Sequence, residues 1–216
     1  MKAKEAILLR FFEENQNNQF VIPIYQRLYS WKKEQCEQLW DDIIKIGGND
    51  KMNGHFIGSI LYERDGITHS NNLLLIIDGQ QRLTTITLLL IALRNHLSEE
   101  VEILEKFSRK KIESYLINSD KDGDKKFRLI LSESDKDTLL SLIDKNRRKP
   151  SEPSLKIVEN FKLFEEWIRK NTDKLETIFK GLEKLMIVWI ALKKGKDDPQ
   201  LIFESMNSKG IELTQT

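Results

Sequence analysis

Leu73 to Ile77 is an unbroken apolar run of strand length, followed at once by Asp78-Gly79 and then by a long apolar stretch of helical character from about Gln80 to Leu97. Such a run fits a strand buried on both faces. The helix after it is a core helix, because its apolar stretch from Ile86 to Leu93 contains Thr87 and stops at Arg94. A membrane span needs roughly 20 consecutive apolar residues. With 216 residues, 39% of them hydrophobic, the chain can build one sizeable domain or two small ones. Collagen, low-complexity disorder and disulfide scaffolds are excluded, the last because Cys36 is the single cysteine. Neither a paired-cysteine motif nor an H-E-x-x-H helix offers a zinc site.

The remaining pattern punctuates the chain. Residues 4 to 14 are predicted as a helix with Ile7, Leu8, Phe11 and Phe12 on one side. Phe20 to Pro23 reads as extended, since a residue before proline avoids the helical region. Ser30 is placed to cap a helix carrying Cys36, Leu39, Trp40, Ile43 and Ile46, which Gly47-Gly48 terminate. His55 to Tyr62 reads as a strand, with a turn signal at Arg64-Asp65-Gly66. From Glu99 to Pro153 the two signs of charge are equal in number and interleaved, as in a solvated helical subdomain. Within it Lys125 to Leu131 is expected as a strand, and Ser134 with Asp135 as the opening of a helix with Leu139, Leu140 and Ile143. Lys149 to Pro153 is the best linker candidate. Ile157, Phe161, Phe164 and Ile168 mark an amphipathic helix, a short helix follows near Leu175 to Leu182, and Met186 to Leu192 reads as a strand. Asp198-Pro199 open a helix with Leu201, Ile202, Phe203 and Met206 that closes at Gly210.

Net charge is +1 with a sequence pI near 7.7, so nucleic-acid contact requires a local cluster rather than a basic surface. Ala6 to Leu9 is too short an apolar core for a secretion signal. The chain reads as cytoplasmic.

Three clusters carry chemistry. In Asp78-Gly79-Gln80-Gln81-Arg82-Leu83-Thr84-Thr85 a glycine stands where a strand meets a helix start. Free N–H groups and the positive end of the helix dipole make that place an anion site, and Arg82 adds a forked cation. An ordinary turn capped by Asp78, with Arg82 on the surface, fits the spacing as well. In Pro23 to Trp31, Tyr25, Gln26, Arg27, Tyr29 and Trp31 follow a strand, and aromatics beside arginine can stack a base and hold a phosphate. Core packing is the competing reading for Tyr29 and Trp31. In Phe203 to Gly210, Glu204, Asn207 and Lys209 lie near a helix end, where Asn207 and Lys209 can equally be capping residues.

With His55-Phe56-Ile57-Gly58, these boxes resemble the N-terminal domain family of GmrSD-type modification-dependent restriction endonucleases, in order and spacing, across nearly the whole chain. Leu28 stands where that pattern usually has proline, and Lys209 where arginine is common. The resemblance implies an α+β fold with a ParB/sulfiredoxin-like core and a largely helical subdomain: a core over residues 1–98, helices over 99–184, and a returning strand and helix over 185–216, ahead of a C-terminal HNH-type nuclease domain missing from this chain. It implies binding and hydrolysis of a nucleoside triphosphate of the GTP or ATP class with Mg²⁺. In that reading Asp78, Gln80, Gln81 and Arg82 are catalytic, with Asp78 on the metal. Tyr25, Gln26, Arg27, His55, Gly79, Thr84, Thr85, Glu204, Asn207, Lys209 and Gly210 bind the nucleotide. The implied partner is modified foreign DNA, and a homo-oligomer stays open. A non-catalytic DNA-sensing module, a ParB-like nuclease and a plain scaffold are the alternatives. His55, His69 and His96 are the three histidines, too scattered for an HNH-type site.

Overall fold

The computed structural model describes residues 2–64, 73–97 and 107–193, together with 195, 197, 201 and 202. Among these residues the fold is α+β, with one mixed sheet and seven α-helices. The sheet contains β1 (Lys2–Ile7), β2 (Gln19–Val21), β3 (His55–Arg64), β4 (Leu73–Asp78), β5 (Leu129–Ile130) and β6 (Leu185–Leu192), in the order β1-β6-β3-β4-β2-β5. β4 lies inside it, antiparallel to β3 and parallel to β2. Its two faces differ. Leu74 and Ile76 belong to the main core, while Leu73 and Leu75 are only half-buried and Ile77 joins a small cluster with Leu61, Ile190 and Leu192.

The helices are α1 (Leu8–Glu14), α2 (Lys33–Gly47), α3 (Gln80–His96), α4 (Arg109–Leu116), α5 (Glu133–Ile143), α6 (Leu155–Lys170) and α7 (Leu175–Glu183). From Leu83 to Leu93 every residue of α3 is buried. A helix that is apolar all round must be covered all round, and α4, α5 and α6 supply that cover. α6 presents Ile157, Phe161, Phe164 and Ile168 to the core, as their spacing predicts.

Four local expectations shift. Lys2 to Ile7 form β1 rather than the start of a helix, because they pair antiparallel with β6 from Lys2↔Ala191 to Ile7↔Met186. Ladder hydrogen bonds override the weak helical preference of Lys, Glu and Ala. Ser30 does not cap α2, whose N-cap is Lys32. α5 starts after Ser132, two residues earlier than expected, and Lys125 to Leu131 holds the end of a 3₁₀ turn (Gly123–Lys126) and the two-residue β5. The turn signal at Asp65-Gly66 and the Phe203 to Gly210 box lie outside the described residues, and of the helix expected after Pro199 the described part is Leu201 and Ile202, which are helical.

Two buried arginines tie helix ends together. Arg128 is 4% exposed; its Nη2 donates to Phe12 O at 2.7 Å and Asn15 O at 2.9 Å, and its Nη1 to Ser114 O at 3.1 Å. These carbonyls end α1 and α4, where the helix dipole is negative. No carboxylate pairs with Arg128 among the described residues, and burial pushes its pKa down to about 10. Arg94 does the same for α5, with Nη2 donating to Ile143 O at 2.8 Å. An Arg128→Met variant, which keeps the apolar stem and strands the three carbonyls, is expected to lose about 3 kcal/mol, read as a lower urea midpoint with an unchanged slope.

Candidate functional site

The site forms where β4 passes into α3. Gly79 is the N-cap of α3 at φ 88°, a conformation that favours glycine. A Cβ built there would lie 2.8 Å from Ser59 O and 3.2 Å from Ile60 Cα. The glycine therefore makes room for the backbone of β3. No side chain caps α3, and Asp78 ends β4 instead. The first-turn N–H groups of α3 are thus left without a side-chain cap, and Gly79 to Arg82 line the adjoining cleft.

Arg82 turns toward β3. Against β6, the register of β3 slips between Phe56 and Ser59, a bulge that carries Gly58 at φ 116°. The guanidinium lies against Gly58, where a Cβ would sit 2.6 Å from Arg82 Cζ. Arg82 Nη1 donates to Ser59 O at 2.9 Å. Burial lowers the arginine's pKa, and the nearby Asp78 carboxylate opposes that shift. The His55 to Gly58 box and the Asp78 to Thr85 box are thus two halves of one contact.

The Pro23 to Trp31 segment is fastened across the same junction. Gln26 Nε2 donates to Ile77 O at 3.0 Å. Gln81 Oε1 accepts the Ser30 and Trp31 N–H groups at 2.8 and 3.2 Å, and its Nε2 donates to Leu28 O at 3.1 Å. Tyr29 is core: its hydroxyl pairs with Thr85 Oγ1 at 2.7 Å and accepts Asn160 Nδ2 at 3.0 Å, and burial holds its pKa well above the ordinary tyrosine value. Trp31 packs on the core and also lines the cleft. Thr84 and Thr85 hydroxyls donate back to Gln80 O and Gln81 O within α3.

What remains is a cleft of about 530 Å³, within the range for small-molecule sites. Arg27, Gln80, Asp78 and Arg82 line it, with Gln26, Trp31, Gly79 and Gln81. Arg27 is exposed and has no ion-pair partner among the described residues. Among the described residues Asp78 is the one carboxylate in the lining, and they contain no group of three His, Cys, Asp or Glu placed to hold a metal. That donor set fits a magnesium ion brought in with phosphates, which takes one or two protein carboxylates, and does not fit an all-protein metal cage.

Other expected ligands lie elsewhere. Tyr25 is 74% exposed and outside the cleft lining. His55 Nε2 pairs with Asp42 Oδ2 of α2 at 3.2 Å, also outside it. Thr84 and Thr85 are buried within α3. Glu204, Asn207, Lys209 and Gly210 lie outside the described residues. Conversely, Asn160, Ser132 and Asp135 reach the back of the junction, although no local motif marks them and Asp135 reads in sequence only as a helix opener.

The Gly58 contact generates a stability test. Gly58→Ala forces a Cβ into the guanidinium at a left-handed φ and is expected to cost about 1–3 kcal/mol, read as a lower melting temperature. Arg82→Lys in that background should not restore it, since an ammonium lacks the planar fork.

No match is found among curated proteins. The family model of the GmrSD restriction endonuclease N-terminal domain matches residues 8–216, nearly the whole chain. The chain belongs to the GmrSD restriction endonuclease N-terminal domain family, which gives it a role in a restriction endonuclease system.

Proposed function

We propose that the cleft binds a nucleoside triphosphate with Mg²⁺ and hydrolyses it, as the regulatory or sensor half of a DNA restriction system directed at modified foreign DNA. One observation carries the reading: two arginines, a carboxylate and an uncapped helix N-terminus surround a single cleft. Phosphoryl transfer is largely positioning and charge stabilisation. Arg82, held by Ser59 O with the Asp78 charge nearby, supplies a fixed cation beside the helix N-terminus. Arg27, without a protein partner in the described structure, is available to meet charge developing on the phosphates. Gln81 is committed to the 28–31 backbone by three hydrogen bonds, so Gln80 is the glutamine whose amide can orient water. Asp78 would hold the magnesium ion, which neutralises phosphate charge when bound.

A second reading, a DNA-sensing module, is favoured by one observation: Ile24 and Tyr25, 80% and 74% exposed, stand in the segment that carries Gln26 and Arg27 to the cleft. An exposed aromatic beside an arginine can stack on a base. Phosphate release should be measured for each nucleotide with magnesium. The expected result is turnover that Arg27→Ala lowers by about 100-fold or more while the melting temperature stays within about a degree, since Arg27 is exposed. Equal release from the two proteins would overturn the assignment. If binding to modified duplex instead exceeds that to plain duplex and falls steeply with salt, with no release of phosphate, the sensing module is the function.

A further inference from the structure

Behind the cleft lies a second, much smaller space. Arg27, Gln80 and Gln81 line both, so they are the wall between them. The far side includes α5's N-cap Ser132 and Asp135 in its first turn. The space measures about 10 Å³, close to the least that holds one water molecule.

Three buried side chains bring unused polar atoms to it. Asp135, Ser132 and Gln80 are 3%, 7% and 8% exposed. Asp135 Oδ2 accepts the Tyr29 N–H at 2.6 Å, and no donor among the described residues reaches its other oxygen. The Ser132 hydroxyl and the Gln80 side-chain amide also lack a protein partner there. Thr84 Oγ1, which donates to Gln80 O at 2.8 Å, keeps its lone pairs. Polar side chains this buried usually have a partner, protein or water; these atoms keep contact with accessible space rather than being sealed among protein atoms, and a water needs two to four such partners. The turn that brings Ser132 and Asp135 together passes through Glu133 at φ 47°, the one non-glycine residue with positive φ among the described residues.

We infer that this space is a built site for one water molecule and that Asp135 acts through it as a positioning residue for the cleft. The water donates to Asp135 and accepts from the Gln80 amide NH₂. That polarity turns the Gln80 carbonyl oxygen toward the cleft, where it can accept a hydrogen bond from an attacking water. A residue of α5 thereby sets the orientation of a side chain in the Asp78 to Thr85 box. The positioning role rests on the triphosphatase reading, whereas the water site does not.

High-resolution crystals of the protein, with and without a nonhydrolysable triphosphate and magnesium, should show an ordered water within about 3.2 Å of Asp135 Oδ1. Ser132→Val places methyls in the space and should expel that water. Asp135→Asn keeps an acceptor for Tyr29 and should leave the water but reverse its polarity. Both variants should lower kcat by about 10- to 100-fold with KM within about twofold, at a near-normal melting temperature. An empty space in the wild-type density would overturn the inference whether or not the protein hydrolyses nucleotide. Water lost from Ser132→Val with kcat unchanged would overturn the positioning role. A wild-type protein that shows the water and hydrolyses no triphosphate would refute the triphosphatase reading and the positioning role with it, while supporting the water site.

Discussion

The contact between the Arg82 guanidinium and the bulge at Gly58 sets how the main helix meets the sheet. Arg82 sits in the first turn of α3, so anchoring its side chain to Ser59 O anchors the helix end. The contact exists because β3 carries an extra residue against β6 and because position 58 has no side chain. At the same stretch of β3, Gly79 lets the β4–α3 turn press against Ser59 and Ile60. Two glycines some twenty residues apart in sequence therefore serve one joint, one beneath a cation and one against a backbone.

Anchored there, α3 runs through the interior and determines what surrounds it. A helix buried from Leu83 to Leu93 cannot have a solvent face. Helices α4, α5 and α6 cover it, and the ends of α4 and α5 are held by cations. Arg128 gathers carbonyls from α1 and α4, and Arg94 those of α5. Each arginine is costly to bury, and each is offset by carbonyls that the helix geometry leaves without N–H partners.

Polar residues of the boxes divide by task. Gln26, Gln81, Tyr29 and Thr85 spend their hydrogen bonds on holding the 23–31 segment against α3. Arg27 and Gln80 keep theirs open. Such a division suits a site of fixed walls and a few free groups, since rigid positioning and unsatisfied donors must coexist for charge to be stabilised without reorganisation.

The sequence alone determined the elements whose signal is local. The Leu73 to Ile77 run, the apolar helix after it, the 3.6-residue spacing of α2 and α6, and the order of the boxes were all legible, because strand and helix periodicity and glycine punctuation need no partner to be read. Tertiary pairing decided the rest. Lys2 to Ile7 became a strand because β6 offered a ladder, and Ser30 gave its N–H to Gln81 in place of capping a helix. The need for Gly79 was visible in the sequence, but not that β3 imposes it. That Asp135, Ser132 and Asn160 reach the junction was beyond any local pattern, since they come from helices packed on it from 50 to 80 residues away in sequence. Periodicity tells which face of an element is buried, and only the packed chain tells what that face is buried against.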